Sequence, residues 1–318
     1  MREQILAILR EQRQISGEEL SRRLGVSRVA VGKHIQALRK RGYVIEAAPR
    51  SGYRFIAAAD ILDQAEIGIH LNGAIPWRIE HYARLETTMR EARSLALAGA
   101  PAFTVVTAEQ QTAGQGRLQR QWQNSPGEDI CMTLLLRPAF APSIAQTLTL
   151  VAAVATAEAA RGCGADIRIK WPNDVLAADG RKLAGIKCEM NADIDSVEWL
   201  LVGIGFNVNN TAFAPPIADI ACSLRQLCGR PVERARVAAA ILDSFGKKYQ
   251  LLCEQGFAPL REQWLSYAAA LGRPVRVSTL GGSLQGVALD IDADGCLLLQ
   301  TADGVLKITG GDMIVDES

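Results

Sequence analysis

At 318 residues the chain is longer than one domain ordinarily needs, and 48% hydrophobic against 22% charged residues excludes a disordered or fibrous protein. The net charge of +1 hides an asymmetry: residues 1–57 hold 12 Lys and Arg against 5 Asp and Glu, and the remainder holds 23 against 29. A basic N-terminal unit on a mildly acidic body points to two different partners, with nucleic acid favoured for the first.

Seven scattered cysteines (Cys131, Cys163, Cys188, Cys222, Cys228, Cys253 and Cys296) include no C-x-x-C pair and fit the reduced thiols of a cytoplasmic protein. The charged N-terminus lacks a signal-peptide core, and the most apolar stretch, Leu148–Ala160, is too short to span a bilayer. Together these predict a cytoplasmic location and no membrane partner.

In chain order, Ile5, Leu6 and Leu9 have the spacing of a first helix. Ser16 with Glu19 three residues on reads as a capping box opening a second helix that runs through Leu24. Gly25-Val26-Ser27 is a turn, and Ser27 caps a third helix with Val31, Ile35 and Leu38 on one face. Helix, short glycine-containing turn, helix is the helix-turn-helix pattern. Tyr43–Glu46, the turn Pro49-Arg50-Ser51-Gly52 and Tyr53–Ile56 then form a β-wing. The candidate DNA contacts are Ser27, Arg28, Lys33, Gln36 and Lys40 on the third helix and Arg50, with Arg54, on the wing. Basic and amide side chains near the start of a recognition helix suit phosphates and base edges. A small helical adaptor with a solvated basic face is the alternative.

Residues 78–265 alternate strand-like runs with amphipathic helices, giving an α+β or α/β domain. Strands are expected at Phe103–Ala108, Ile130–Leu136, Ile167–Trp171, Lys182–Glu189 and Trp199–Asn207, and helices at Met89–Ala98, Ser143–Arg161 and Val232–Cys253. From Gly272 the pattern changes to four short strands, Pro274–Val277, Gly286–Ile291, Cys296–Gln300 and Val305–Ile308, which predict a small all-β barrel. The expected domains are therefore 1–60, 61–268 and 269–318.

Several familiar sites are missing from the sequence. It has no P-loop, no G-x-S-x-G, and no His or Cys cluster with metal spacing, so no metal ligands are assigned. Three segments stand out instead. Gln110–Trp122 brackets Gln115 between Gly114 and Gly116 and continues with Arg117, Arg120 and Trp122, a mobile loop with forked donors for carboxylate or phosphate, or an ordinary surface loop. Lys170-Trp-Pro-Asn-Asp174 is followed by Gly180-Arg-Lys-Leu-Ala-Gly-Ile186. Lys170 ends one strand and Lys182 begins the next, so a hairpin would bring both to one pocket with Asn173 and Asp174. Such a set suits a nucleotide with Mg²⁺; a solvated charge pair is the alternative. Gly203-Ile-Gly-Phe-Asn-Val208 places Asn207 at the end of a buried strand, as a site residue or in a structural bulge.

In order and spacing, the three segments resemble the biotin–protein ligase family, whose patterns are GRGRxGRxW, KWPND with RKLAGI, and a late GxGxN. The winged helix in front extends the resemblance over essentially the whole chain, to the bifunctional biotin ligase/biotin-operon repressors. The resemblance implies a winged helix-turn-helix, a mixed ligase domain similar to class II synthetase-like folds, and an SH3-like C-terminal barrel. It implies an ATP- and Mg²⁺-dependent reaction in which biotin becomes biotinyl-5′-AMP and is passed to a lysine of a carboxyl carrier protein. It also implies binding of operator DNA by a homodimer that forms when the adenylate is bound.

Carried over by position, Thr87, Thr88, Met89, Gln111, Gln115, Gly116, Arg117 and Lys182 line the biotin site, and Arg120, Trp122, Lys170, Asn173 and Asn207 the nucleotide side. Lys182 would bridge carboxylate and α-phosphate, Arg117 would retain the adenylate, and Asp174 would orient or deprotonate the acceptor lysine. Asp174→Asn is then expected to form biotinyl-AMP normally and transfer it slowly. The sequence departs from the family at Met89, where an asparagine is common, at Gln115, where an arginine is common, and at Gln119, where a glycine is common. Loss of that arginine weakens ligand-linked ordering of the loop and its link to repression; neither Arg117 nor Lys182 is touched. A lipoate ligase, a ligand-sensing repressor without ligase activity, and a ligase whose winged helix does not repress are the competing readings.

Overall fold

A computed structural model describes residues 1–48, 52–117, 120–279 and 281–315. Arg50 and Gln119 lie outside the described residues. The chain divides into two compact units, Met1–Ile61 and Leu62–Ser318.

The first unit runs α1 (Arg2–Gln12), β1 (Gln14–Ile15), α2 (Gly17–Leu24), α3 (Arg28–Lys40), β2 (Val44–Ala48) and β3 (Gly52–Ala57). Ile5, Leu6, Leu9, Leu20, Val31, Ile35, Leu38, Tyr43, Ile45 and Phe55 form a core of its own. Ser16 and Ser27 each accept a backbone N–H three residues on, from Glu19 and Ala30. The capping box is only half made, because the Glu19 carboxylate accepts from Arg22 and Arg23 in the next turn. α2 ends at Gly25 with φ 65°, the left-handed conformation that glycine adopts without strain. β1 is an addition to the expected elements: two residues are too few to show a period, yet they pair with β3 and make the sheet order β1-β3-β2.

The second unit contains α4 (Gln64–Gly68), β4 (Arg78–Tyr82), α5 (Thr88–Leu97), β5 (Thr104–Ala108), β6 (Asp129–Leu136), α6 (Pro142–Ala145), α7 (Thr147–Gly162), β7 (Ile167–Lys170), β8 (Asp174–Ala177), β9 (Lys182–Ala192) and β10 (Val197–Asn207). It continues with α8 (Leu224–Cys228), α9 (Arg234–Gln255), α10 (Ala258–Leu265), β11 (Pro274–Thr279), β12 (Gly282–Ile291), β13 (Leu297–Thr301), β14 (Gly304–Ile308) and β15 (Asp312–Val315). Among the described residues β4 to β10 form one sheet in the order β4-β5-β6-β10-β9-β8-β7, antiparallel except for β4–β5. Alternate residues of its strands face opposite sides. Val105, Leu134 and Val202 meet the α7 and α9 layer, whereas Val106, Leu135 and Leu201 meet Ala92 and Ala96 of α5. The run Pro142–Gly162 is long and apolar enough to cross a membrane, but it is largely buried as a core element against this sheet.

Two expectations change here. The stretch between Lys170 and Lys182 is not one hairpin turn, since β8 intervenes and pairs with both neighbours. The C-terminal sheet has a fifth strand, β15, in the order β14-β13-β12-β11-β15. Its four residues alternate in burial and follow two glycines, a pattern too short to read by period. One apolar core continues from the large sheet into these strands, through Val275, Val277, Ala288, Ile291, Leu297 and Leu299.

Candidate functional site

The three strands β7, β8 and β9 bring the charged groups together. Lys170 and Asp174 stand opposite each other across β7–β8, and Asp174 stands opposite Gly185 across β8–β9. The Asp174 carboxylate consequently lies between two ammoniums, with Oδ1 2.6 Å from Lys182 Nζ and Oδ2 3.1 Å from Lys170 Nζ. Burial alone would raise this carboxyl, but the two lysines outweigh it and hold it below the usual carboxylate range. It is a fixed negative charge that organises both cations.

Asn173 acts as a clamp. Its carbonyl accepts from the Ile186 N–H at 3.0 Å and its amide donates to the Ile186 carbonyl at 3.0 Å, continuing the β8–β9 ladder where the strand pairing ends. Its Oδ1 then accepts from Arg117 Nη1 at 2.9 Å, which seats the glycine loop on the sheet. Burial depresses the Arg117 guanidinium below its ordinary value, while Asp174 and Asp312 oppose that shift. The loop closes on itself: Gly116 N–H donates to Arg120 O at 2.7 Å and Trp122 N–H to Gly114 O at 2.9 Å. Arg120 reaches out of the loop to Asp312 of β15 at 2.6 Å.

The late glycine pair is explained by close approach. A Cβ on Gly205 would lie 2.5 Å from the Trp122 ring, and one on Gly203 would lie 2.8 Å from Met89 Sδ. Trp122 therefore lies flat on bare backbone, with Lys182 Nζ 5.9 Å from its ring centroid. On the other side Gln111 Oε1 accepts from Thr88 N–H at 2.8 Å and from Thr88 Oγ1 at 3.2 Å, and Thr133 Oγ1 donates to Thr88 Oγ1 at 2.9 Å. Thr87 is placed differently from its neighbours: its hydroxyl caps α5 by accepting from Arg90 N–H, and it lines neither cavity of the site. Asn207 donates to the carbonyls of Cys222 and Lys182 at 3.1 and 3.4 Å, tying the start of β9 to the segment before α8.

Two cavities result. The smaller, about 60 Å³, is walled by Thr88, Met89, Gln111 and Gln115. The larger, about 1000 Å³, takes in Arg120, Lys170, Asp174 and Asn207. Gly116, Arg117, Trp122, Asn173 and Lys182 line both and form the passage between them. Lys187 is a wall residue that sequence reasoning missed; its ammonium is 3.0 Å from Glu189, a carboxylate also held by Arg93. The signal was present in the alternation of β9, which puts residue 187 on the same side as Gly185. In the first unit Ser27, Arg28, Lys33, Gln36 and Lys40 are all exposed on α3.

A small cavity and a large one that share the cations Arg117 and Lys182 suit a carboxylate meeting a phosphate, which defines the class as acid-activating ligases. Family models match the chain in the same order: an HTH domain over residues 1–54, the biotin/lipoate A/B protein ligase family over 82–207, and the biotin protein ligase C-terminal domain over 270–316. The bifunctional ligase/repressor BirA of Bacillus spizizenii is 43% identical over 305 residues, 94% of this chain and 93% of that protein. Its counterpart from Bacillus subtilis is 41% identical, again over 94% and 93%. The chain belongs to the family of bifunctional biotin ligase/repressors. The fold is shared with the biotin protein ligase of Aquifex aeolicus solved with biotin and ATP, at TM-score 0.66 and 24% identity over 76% of this chain and 99% of that one.

Proposed function

We propose that the chain adenylates biotin with ATP, transfers the biotinyl group to a lysine of a carboxyl carrier protein, and represses transcription through its winged helix. The observation that carries this reading is the passage lined by Arg117, Trp122, Asn173 and Lys182 between the two cavities. Biotin would lie in the smaller, with Thr88 and Gln111 at its polar ring and Met89, Gln115 and Gly116 beside it. ATP would lie in the larger, among Arg120, Lys170 and Asn207. The smaller cavity falls well below the ~300 Å³ at which ligand pockets ordinarily begin, so Met89 and the glycine loop must yield on binding.

An ionised carboxylate, with a pKa of about 4–5 like a glutamate side chain, needs no base at neutral pH. Its oxygen attacks the α-phosphorus and pyrophosphate leaves. Lys182 at the passage neutralises charge on both reactants, and the Asp174 pair holds that ammonium in place. In the second step an acceptor ε-amine attacks the activated carbonyl and AMP leaves. Such an amine has a pKa of about 10.4. Asp174, held below the usual carboxylate range, orients it electrostatically and is a weak base toward it. Because Asp174 touches both lysines, Asp174→Asn should slow adenylation as well as transfer, which revises a role confined to the second step.

Mg²⁺ would enter on the phosphate oxygens. The Asp174 carboxylate already faces two ammoniums, and among the described residues no cluster of three His, Cys, Asp or Glu side chains is placed to hold a metal. Arg117 closes over the adenylate, so Arg117→Gly should release it and label bystander lysines. A cytoplasmic location, operator DNA, and a homodimer formed when the adenylate is bound complete the proposal.

The test is incubation of the purified chain with biotin, Mg·ATP and a carboxyl carrier domain, followed by intact mass. One biotinyl group on one lysine, absent with lipoate, is the expected outcome. Tight ATP-dependent retention of biotin with no transfer would replace the ligase reading with that of a ligand-sensing repressor.

A further inference from the structure

We propose that Val29 reads the C5-methyl of a thymine in the major groove of the duplex that α3 enters; this rests on the DNA-binding reading of the first unit. Residues 29, 33, 36 and 40 fall at i, i+4, i+7 and i+11 of α3, one continuous stripe. Lys33, Gln36 and Lys40 on that stripe are exposed and polar, and Arg28 stands beside its start. Val29 is the apolar exception and is 70% exposed. The other exposed large apolar side chains described in Met1–Ile61 are Met1, Val44 and Ile56, at 44, 47 and 42%.

Packing does not account for it. The buried face of the helix is Val31, Ile35 and Leu38, and Val29 belongs neither to the core of the unit nor to the side chains packed against it. Helix propensity does not account for it either, because a β-branched side chain is a weaker helix former than alanine or leucine. Position does. Val29 is the second residue of α3, two positions after the Ser27 cap, and the N-terminal residues of a recognition helix are those that reach base edges. Among the four bases, thymine alone presents a methyl group in the major groove; elsewhere the edge is donors and acceptors. The surrounding cations, Arg28, Lys33 and Lys40, select duplex DNA over an apolar protein partner.

The experiment uses the full-length chain with biotin and Mg·ATP. Duplexes are selected from a randomised pool, and the selected sequence is resynthesised with each thymine in turn replaced by deoxyuridine, which lacks only the methyl. One position per half-site should weaken wild-type binding about fourfold, the value of burying one methyl-sized group. Val29→Ser, chosen because serine and valine have similar helix propensity, loses the contact in both half-sites and should bind the thymine duplex about 16-fold more weakly. It should no longer distinguish thymine from deoxyuridine at that position, while biotin transfer to a carrier domain is unchanged. Equal wild-type affinity for thymine and deoxyuridine at every position overturns the proposal, as does a Val29→Ser chain that keeps the full ratio. A wild-type chain that enriches no sequence overturns the DNA-reading function itself, and the methyl contact with it.

Discussion

The recognition helix and the ligase site are built in opposite ways. On α3 the candidate contacts Arg28, Lys33, Gln36 and Lys40 come from one element, lie on its outer face, and depend on one another only through the helix and its Ser27 cap. The ligase site takes Thr88 from α5, Arg117 and Trp122 from a loop, Asp174 from β8, Lys182 from β9 and two glycines from β10. Each of its groups holds another: Asp174 holds two lysines, Asn173 holds Arg117, and Gly205 seats Trp122. Substitutions should therefore act singly on the helix and collectively in the site.

The largest effect should come from Lys182→Ala, which removes the shared cation and leaves Asp174 with one ammonium. Pyrophosphate release should fall about 10³-fold. A loss under tenfold would place the charge neutralisation elsewhere. Next is Gly205→Ala, whose methyl must displace the Trp122 ring from 2.5 Å. A displaced ring should reduce adenylation by about 10²-fold with roughly 1–3 kcal/mol lost in stability. Full activity in that variant would separate Trp122 from the site.

A smaller effect lies in the register beneath the site. Asp129, opposite Asn207 across β6–β10, is pushed up by burial to about 6, with hydrogen bonds and Arg234 opposing the shift. A carboxyl raised in the folded state binds its proton there while the unfolded chain has released it. Stability should therefore decline as pH rises from about 4 to 7, by roughly 2 kcal/mol, and stay level above that. Denaturant midpoints across this window should show the decline, and Asp129→Asn should flatten it; an equal slope in both would assign it to another group. The smallest effects belong to α3. Arg28→Ala and Lys40→Ala, at opposite ends of the helix, should each weaken DNA binding by about 1 kcal/mol and add within about 0.5 kcal/mol. Each should lower the salt slope by about two, one for each half-site of the dimer. Strong non-additivity would make α3 a coupled surface like the ligase site.

The same contrast explains what the sequence disclosed. Helix caps at Ser16 and Ser27 and the 3.6-residue period of α3 are written in consecutive residues, so the helix-turn-helix was legible with its face. In the ligase site the residue identities were legible and their partners were not. β8, four buried residues between two motifs, has no alternation to betray it. The bonds that clamp Asn173 to Ile186 and seat Arg117 on Asn173 depend on register and on a loop 56 residues upstream. The pair of buried Arg234 with half-buried Glu109, at 2.8 Å across 125 residues, was beyond any local pattern. Thr87 shows the converse. A hydroxyl next to a binding motif resembles a ligand contact, but the start of α5 claims it as a cap.

The Trp171 indole, in the middle of the Lys170–Asp174 motif, donates to the carbonyl of Gly295, a turn residue of the C-terminal sheet, at 3.0 Å. A methyl on Gly295 would in turn meet Leu150 of α7 at 2.7 Å. For anyone trimming the enzyme into a portable labelling tool, this sets where scissors can go. A cut near residue 61 leaves each fragment its own core. A cut near residue 268 removes the support under the strand that carries Lys170, so a smaller catalyst is to be sought by shortening from the front.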